Sequence, residues 1–301
     1  GSGARHRAGA VLMGRRERTG RRRPVPPAPR GREEDVLPDR IGFEEAEDGG
    51  VIVLRDGRPQ SHVDTDDPRR LDFPYIAHLA AVLDLVATPS PPERIGVTHV
   101  GGAGLTLPRY VQATRPGSPQ IVLEPDAALT DAVRAHLPLP AGHRIRVRPQ
   151  DGRTGVAGLK DASADAVVVD AFDAGRVPDE LVTAGFAADC LRVLAPGGVL
   201  AMNVADEPGL ARTGEVLGGW VAGGWRAEEI ALIGAREVLN SRRAGNVVVV
   251  ARRGGPDEGT APGRGAPAWA TALERRVGRS ALPTEVRAGA VLARWTGPPR
   301  A

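Results

Sequence analysis

Two carboxylates stand three residues apart in Val167-Val168-Val169-Asp170-Ala171-Phe172-Asp173. Three consecutive β-branched residues read as a buried strand, which puts Asp170 at a sheet rim. A carboxylate there can hold an amine by charge-assisted hydrogen bonds and take its proton as it attacks. A helix-capping Asp173 and a solvated Asp170 are the plain alternatives. Earlier in the chain, Val100-Gly101-Gly102-Ala103-Gly104 follows a strand pattern and precedes a helix pattern. Small residues at such a turn let the backbone approach a ligand, and the helix start offers unpaired N–H groups. A tight strand–helix turn would need the same glycines. About twenty residues further on, Glu124 closes the next strand, where an acid can accept both hydroxyls of a ribose. It could equally lead the following helix. Asp151-Gly152 follows a third strand; its carboxylate could accept an adenine amino group, although Asp-Gly is by itself a common turn dipeptide.

The elements that must position these residues are legible as an alternation. Strand patterns at 94–100, 120–124, 143–148, 166–170, 198–204 and 246–251 are separated by helical patterns near 105–114, 126–136, 178–192 and 208–223. Short Val/Ile runs suggest strands buried on both faces, and strand–helix alternation implies a parallel sheet with right-handed crossovers. The expected fold class is therefore α/β, doubly wound, with a mostly parallel seven-stranded sheet. Residues 36–72 form a small N-terminal region whose segment 50–63 reads as a β-hairpin around Asp56-Gly57. The main domain is expected over 73–253 and opens with a helix from Phe73 to Val86. Residues 254–301 read as a Gly/Pro-rich linker followed by one or two short helices over 268–296. Residues 1–35 read as a disordered Arg/Pro-rich tail.

In such sheets ligands bind outside the carboxyl ends of the strands. The glycine loop lacks both the dinucleotide spacing Gly-x-Gly-x-x-Gly and the Lys of a phosphate-binding loop. A nucleoside without phosphates fits better, and S-adenosylmethionine or its decarboxylated form is such a ligand. Composition agrees. The chain of 301 residues is 41% hydrophobic and 26% charged, enough for a sizeable core and too apolar for a wholly disordered chain. Of the net charge of +3, +9 sits on residues 1–32, which leaves −6 on the rest and removes the basic body a nucleic-acid binder would need. Aromatics at 3% argue against a base-stacking surface, so no specific nucleic-acid partner is expected. One cysteine, Cys190, excludes disulfide frameworks and multi-cysteine metal sites, and its place on an apolar helix face makes it core. His62, His78, His99, His136 and His143 show no ligand spacing, so no metal is expected. Ser61, Ser118, Ser163 and Ser241 lack the Gly-x-Ser-x-Gly elbow of a hydrolase. With no apolar run near 18 residues and no leader pattern, the expectation is a cytoplasmic protein with no membrane partner.

Residues 50–252, about two-thirds of the chain, resemble the spermidine synthase (polyamine aminopropyltransferase) family with its class I methyltransferase-like fold. The matching pieces occur in order: Leu54-Arg55-Asp56-Gly57-Arg58-Pro59-Gln60-Ser61, Pro74-Tyr75-Ile76-Ala77-His78, Gly101-Gly102-Ala103-Gly104, Val122-Leu123-Glu124, Asp151-Gly152, Val169-Asp170-Ala171-Phe172-Asp173 and Leu191-Arg192-Val193-Leu194-Ala195-Pro196-Gly197-Gly198. The resemblance implies aminopropyl transfer from decarboxylated S-adenosylmethionine to an amine, as in polyamine biosynthesis. It puts Gln60 near the sulfur side of the nucleoside, Gly101, Gly102 and Gly104 in the nucleoside loop, Glu124 on the ribose and Asp151 on the adenine. Asp170 would orient and deprotonate the amine, with Asp173 and Tyr75 lining its channel. Dimers or tetramers are common in the family, which makes a homodimer an expectation, with the 50–63 hairpin as its contact.

Three departures point away from a polyamine. The family's glycine loop carries an Asp that meets the amino end of the donor, and Gly104 stands there. Ile76-Ala77 replace a Gln-Glu pair after the channel tyrosine. A later tyrosine is replaced around Asn240-Ser241. Transfer of a methyl group from intact S-adenosylmethionine to another acceptor, or nucleoside binding without catalysis, are the alternatives this leaves open.

Overall fold

The computed structural model describes residues 41–47, 49–254, 266–280 and 282–292. The 1–35 tail and most of the expected linker lie outside the described residues. The chain opens with a three-stranded antiparallel sheet, β1 (Ile41–Glu45), β2 (Val51–Arg55) and β3 (Arg58–Val63), in that spatial order. The 50–63 hairpin is present, and a strand not expected from the sequence pairs with its outer side. Helix α1 (Pro74–Leu85) follows, with Pro at its first turn, where a missing N–H costs nothing.

The alternating part then runs β4 (Val97–Val100), α2 (Thr106–Thr114), β5 (Gln120–Leu123), α3 (Ala127–His136), β6 (Ile145–Arg148), α4 (Gly152–Ala157), β7 (Ala164–Val169), α5 (Ala184–Val193) and β8 (Leu194–Asp206). It is completed by α6 (Ala211–Ala222), β9 (Ile230–Ala235), α7 (Arg236–Leu239), β10 (Gly245–Arg252), α8 (Ala268–Val277) and β11 (Thr284–Ala288). Across the sheet the order is β11-β9-β10-β8-β7-β4-β5-β6. The five strands from β8 to β6 are parallel, whereas β10 is antiparallel to β8 and β9, and β11 to β9.

The fold is thus the expected α/β, doubly wound, mostly parallel and methyltransferase-like class, with one correction. Among the described residues the large sheet has eight strands rather than seven. The extra strand, β11, comes from the segment read as helical, where it lies between α8 and a short 3-10 helix, Gly289–Leu292. Thr284-Glu285-Val286-Arg287-Ala288 is a half-buried edge strand, and its polar alternation gave no apolar run to recognise.

Alternate residues of the central strands feed two cores. Val167 and Val169 pack with Phe186, Cys190 and Trp220 of α5 and α6. Ala166 and Val168 pack on the opposite face with Leu79, Val82 and Leu83 of α1 and Leu273 and Val277 of α8. A third cluster joins Val53 and Val63 of the small sheet to Val122, Leu129 and Val133. The strand order reverses between β5-β4 and β4-β7, which opens a crevice beyond the carboxyl end of β4.

Candidate active site

A cleft of about 600 Å³ occupies that crevice, within the size range of small-molecule sites. Gln60, Tyr75, Gly101, Gly102, Glu124, Asp151, Asp170 and Asp173 all line it. Elements far apart in sequence therefore bring together eight of the nine residues singled out above.

Gly101 follows β4 with φ +83°, and a Cβ there would lie 2.3 Å from the Asp170 carbonyl oxygen. Only glycine lets the ends of β4 and β7 approach this closely. Glu124 braces the loop: its Oε2 accepts from the Gly102 N–H at 3.1 Å and its Oε1 from the Asp126 N–H at 3.0 Å. Each oxygen keeps lone-pair capacity for a further donor. Asp126, rather than Glu124, caps α3 through the Leu129 N–H. Asp151 is the N-cap of α4, accepting from the Thr154 N–H at 2.7 Å. That backbone hydrogen bond holds its carboxyl below the usual range.

Asp170 follows β7 and is half-buried. Burial raises its pKa to about 6, opposed by the hydrogen bond that Asn203 Nδ2 donates to its Oδ1 at 2.9 Å. Tyr75, from the first turn of α1, packs beside Phe73 with ring centroids 6.0 Å apart. Its phenol is pushed above its ordinary range first by burial and then by the Asp170 charge, so it stays protonated. Asp173 is exposed and caps no helix. It opens a tight reversal through Ala174 and Gly175, both with positive φ, that returns to Arg176.

Gly104 is the exception. It does not line the cleft but is buried against β3, its N–H donating to Ser61 Oγ at 3.1 Å. A Cβ at 104 would lie 2.8 Å from Ser61 Cβ and from Val63 Cγ2. Gly104, expected in the nucleoside loop, thus packs between that loop and the small sheet instead of joining the lining residues.

Sequence reasoning missed Asn203, a fully buried amide in β8 that holds Asp170. Its signal was a lone amide inside the apolar run Leu200-Ala201-Met202-Asn203-Val204. It also missed Arg55, which lines the cleft and pairs with Asp126 at 3.2 Å. The lining carries six carboxylates (Glu124, Asp126, Asp151, Asp170, Asp173 and Glu180) against the single guanidinium of Arg55, among the described residues. Such a cleft suits cations and repels phosphates. His99 also lines it, buried and bonded to Gln120 Oε1 at 2.8 Å, with burial lowering its pKa to about 4. Among the described residues there is no cluster of three metal-ligating side chains, and no helix is long and apolar enough to cross a membrane.

No protein-family model matches the chain. It is 29% identical over 137 residues to the polyamine aminopropyltransferase of Vibrio vulnificus, covering 45% of this chain and 44% of that protein. With the polyamine aminopropyltransferase of Chromobacterium violaceum it shares 28% identity over 161 residues, 52% of this chain and 59% of the relative. The chain thus spans about half the length of the curated relatives it matches. Among solved structures it resembles a probable spermidine synthase from Corynebacterium glutamicum, with 25% identity, TM-score 0.74, and coverage of 87% of this chain and 92% of the other. The spermidine synthase of Thermotoga maritima shares the fold at 20% identity and TM-score 0.52, over 72% and 70% of the two chains. Together these likenesses support the spermidine synthase family with a methyltransferase-like fold.

Proposed function

We propose that this relative of the spermidine synthases is a transferase that moves an aminopropyl group from decarboxylated S-adenosylmethionine to an amine, with Asp170 orienting the amine and receiving its proton. The observation that carries the reading is the convergence of Asp170, Tyr75 and Glu124 on one acid-lined cleft beside the Gly101-Gly102 turn. The residues fit a cationic nucleoside. Glu124 has lone pairs left for ribose hydroxyls, and the glycines leave room for close approach. When bound, the donor supplies a carbon activated by its positive sulfur, so the protein's share is chiefly proximity and orientation.

Asp170 has the charge for its part. With a pKa near 6 it is mainly a carboxylate at neutral pH, yet a better proton acceptor than an ordinary aspartate. The amine uses its lone pair to form the new C–N bond as the C–S bond breaks toward sulfur, and the surplus proton passes to Asp170. Tyr75 keeps its O–H and can orient the amine. Gln60 would lie near the sulfur and Asp151 near the adenine, while Asp173 lines the acceptor path. A homodimer and a cytoplasmic location belong to the same proposal by analogy with the family.

Two observations favour a second reading, methyl transfer from intact S-adenosylmethionine. Position 104 supplies no carboxylate for the amino end of the donor, and Ile76 presents an apolar side chain to the cleft. Calorimetry with S-adenosylmethionine, its decarboxylated form and methylthioadenosine, followed by product analysis with putrescine, separates the readings. Aminopropyl transfer is expected, with a loss on the order of 10²–10⁴-fold in Asp170→Asn. Turnover that survives this substitution removes the mechanism. Binding of all three without turnover makes the chain a nucleoside-binding scaffold, and binding of none removes the nucleoside.

A further inference from the structure

The pleat sets three polar residues in a row across neighbouring strands. Val168 is level with Ala201 and Val169 with Met202, so Asp170 stands level with Asn203 on the face that packs against α1. Asn203 is opposite Val248 of β10, and Asn246 lies two residues along on that same face. Asn203 Nδ2 donates to Asp170 Oδ1 at 2.9 Å, and Asn246 Nδ2 donates to Asn203 Oδ1 at 3.0 Å. Asn203 is fully buried, while Asn246 is half-buried and precedes four consecutive valines.

A buried amide among valines is costly unless both of its ends are bonded. Here both ends are used, and the order has a direction. A carboxylate can only accept, so it requires the NH₂ end of Asn203. That orientation turns the carbonyl of Asn203 toward β10, where only a donor can satisfy it, and Asn246 supplies one. Without a donor at 246 the carbonyl of Asn203 would be buried and unpaired, and that cost would loosen the hold of its NH₂ on the carboxylate.

We infer that Asn203 and Asn246 are positioning residues, a two-amide relay that holds Asp170 in its ionised form with one oxygen fixed and the other left for the acceptor. The inference rests on the reading of Asp170 as the base of the transfer. The remaining groups around Asp170 leave this task to the relay. Tyr75 from α1 is a neutral phenol, and His99 from β4 is neutral and bonded to Gln120. Glu124 beyond β5 and Asp173 in Asp170's own loop are acids, and an acid disfavours a second charge. Among the described residues, β8 and β10 bring the two amides to it.

The test titrates the Asp170 carboxyl carbon by NMR in the full chain without substrate, with Asp170→Asn to assign the signal. In Asn203→Leu the midpoint should rise by about one pH unit, because a hydrogen bond to the charged form is lost. Asn246→Leu should raise it by about half as much, and Asn246→Gln, which restores a donor at a half-exposed position, should return it to the wild-type value. The Asn246 pair keeps the test valid if Asn203→Leu fails to fold. Where turnover is measurable, the acid limb of kcat/KM should move with the midpoint. An unmoved midpoint in folded Asn246→Leu overturns the relay. Since the titration needs no donor or acceptor, an inactive wild type would sink the proposed transfer and leave this result standing.

Discussion

At Asp170 burial works against the ionised carboxylate. Its pKa is raised to about 6 by burial, so the folded state binds a proton more readily than the unfolded chain. The resulting destabilisation is present in full above pH 6. It fades as pH falls through the folded value and is gone below the ordinary carboxylate range. Asp170→Asn should therefore melt at a higher temperature than the wild type at pH 8, by a stabilisation of about 1 kcal/mol after allowance for solvent in the cleft, and the gain should vanish near pH 4. Thermal denaturation at the two pH values reads this directly. A variant destabilised at both would mean that the carboxylate is structural. Asp170 was legible because three β-branched residues precede it. Its partner Asn203 was not, because the pairing of β7 with β8 sets two residues 33 apart side by side, and no local spacing records that.

Among the elements, the loop between β4 and α2 decides how the cleft is built. Its first glycine is required by the approach of β7, and Gly104 by the approach of β3. Gly104→Asp, which would copy the loop of the spermidine synthases, should therefore not create a donor contact. With Ser61 Cβ and Val63 Cγ2 both 2.8 Å from the added Cβ, it should cost about 1–3 kcal/mol by overpacking, and more for the buried charge. Chemical denaturation of Gly104→Asp against Gly104→Asp/Ser61→Gly checks the cause, because the second change removes one of the two obstructing atoms and should recover part of the loss. Wild-type stability in Gly104→Asp would show that the loop can swing its new side chain into the cleft. The three glycines of the loop look alike as a motif; the neighbouring strands assign them different tasks.

On the scale of the whole molecule, the C-terminal segment closes both the sheet and a core. Leu273 and Val277 of α8 are buried with α1, and β11 covers the edge of β9. Deleting residues from 266 onward should expose that apolar face and leave β9 as an open edge, with aggregation and a lower, less cooperative melting transition. A truncated chain that stays monomeric and melts as before would show that the eighth strand is dispensable. The sequence by itself determined the strand–helix alternation from β4 to β8, apart from α4, a six-residue helix too short to show a periodic pattern. Strands buried on both faces must be continuous Val/Ile runs, and such runs are visible locally. It also determined that the acids lie at strand ends. It did not reveal β9, whose run Ile230-Ala231-Leu232-Ile233 follows Glu228-Glu229 and reads equally well as a helix, or β11, whose partner supplies the apolar contact. Only the tertiary structure decided that eight of the nine expected site residues share one acid-lined cleft, that Gly104 faces β3 instead, and that two amides stand behind Asp170. Each of these follows from strand order and register, which come from pairing between distant segments, and a linear pattern of residue types does not encode that pairing.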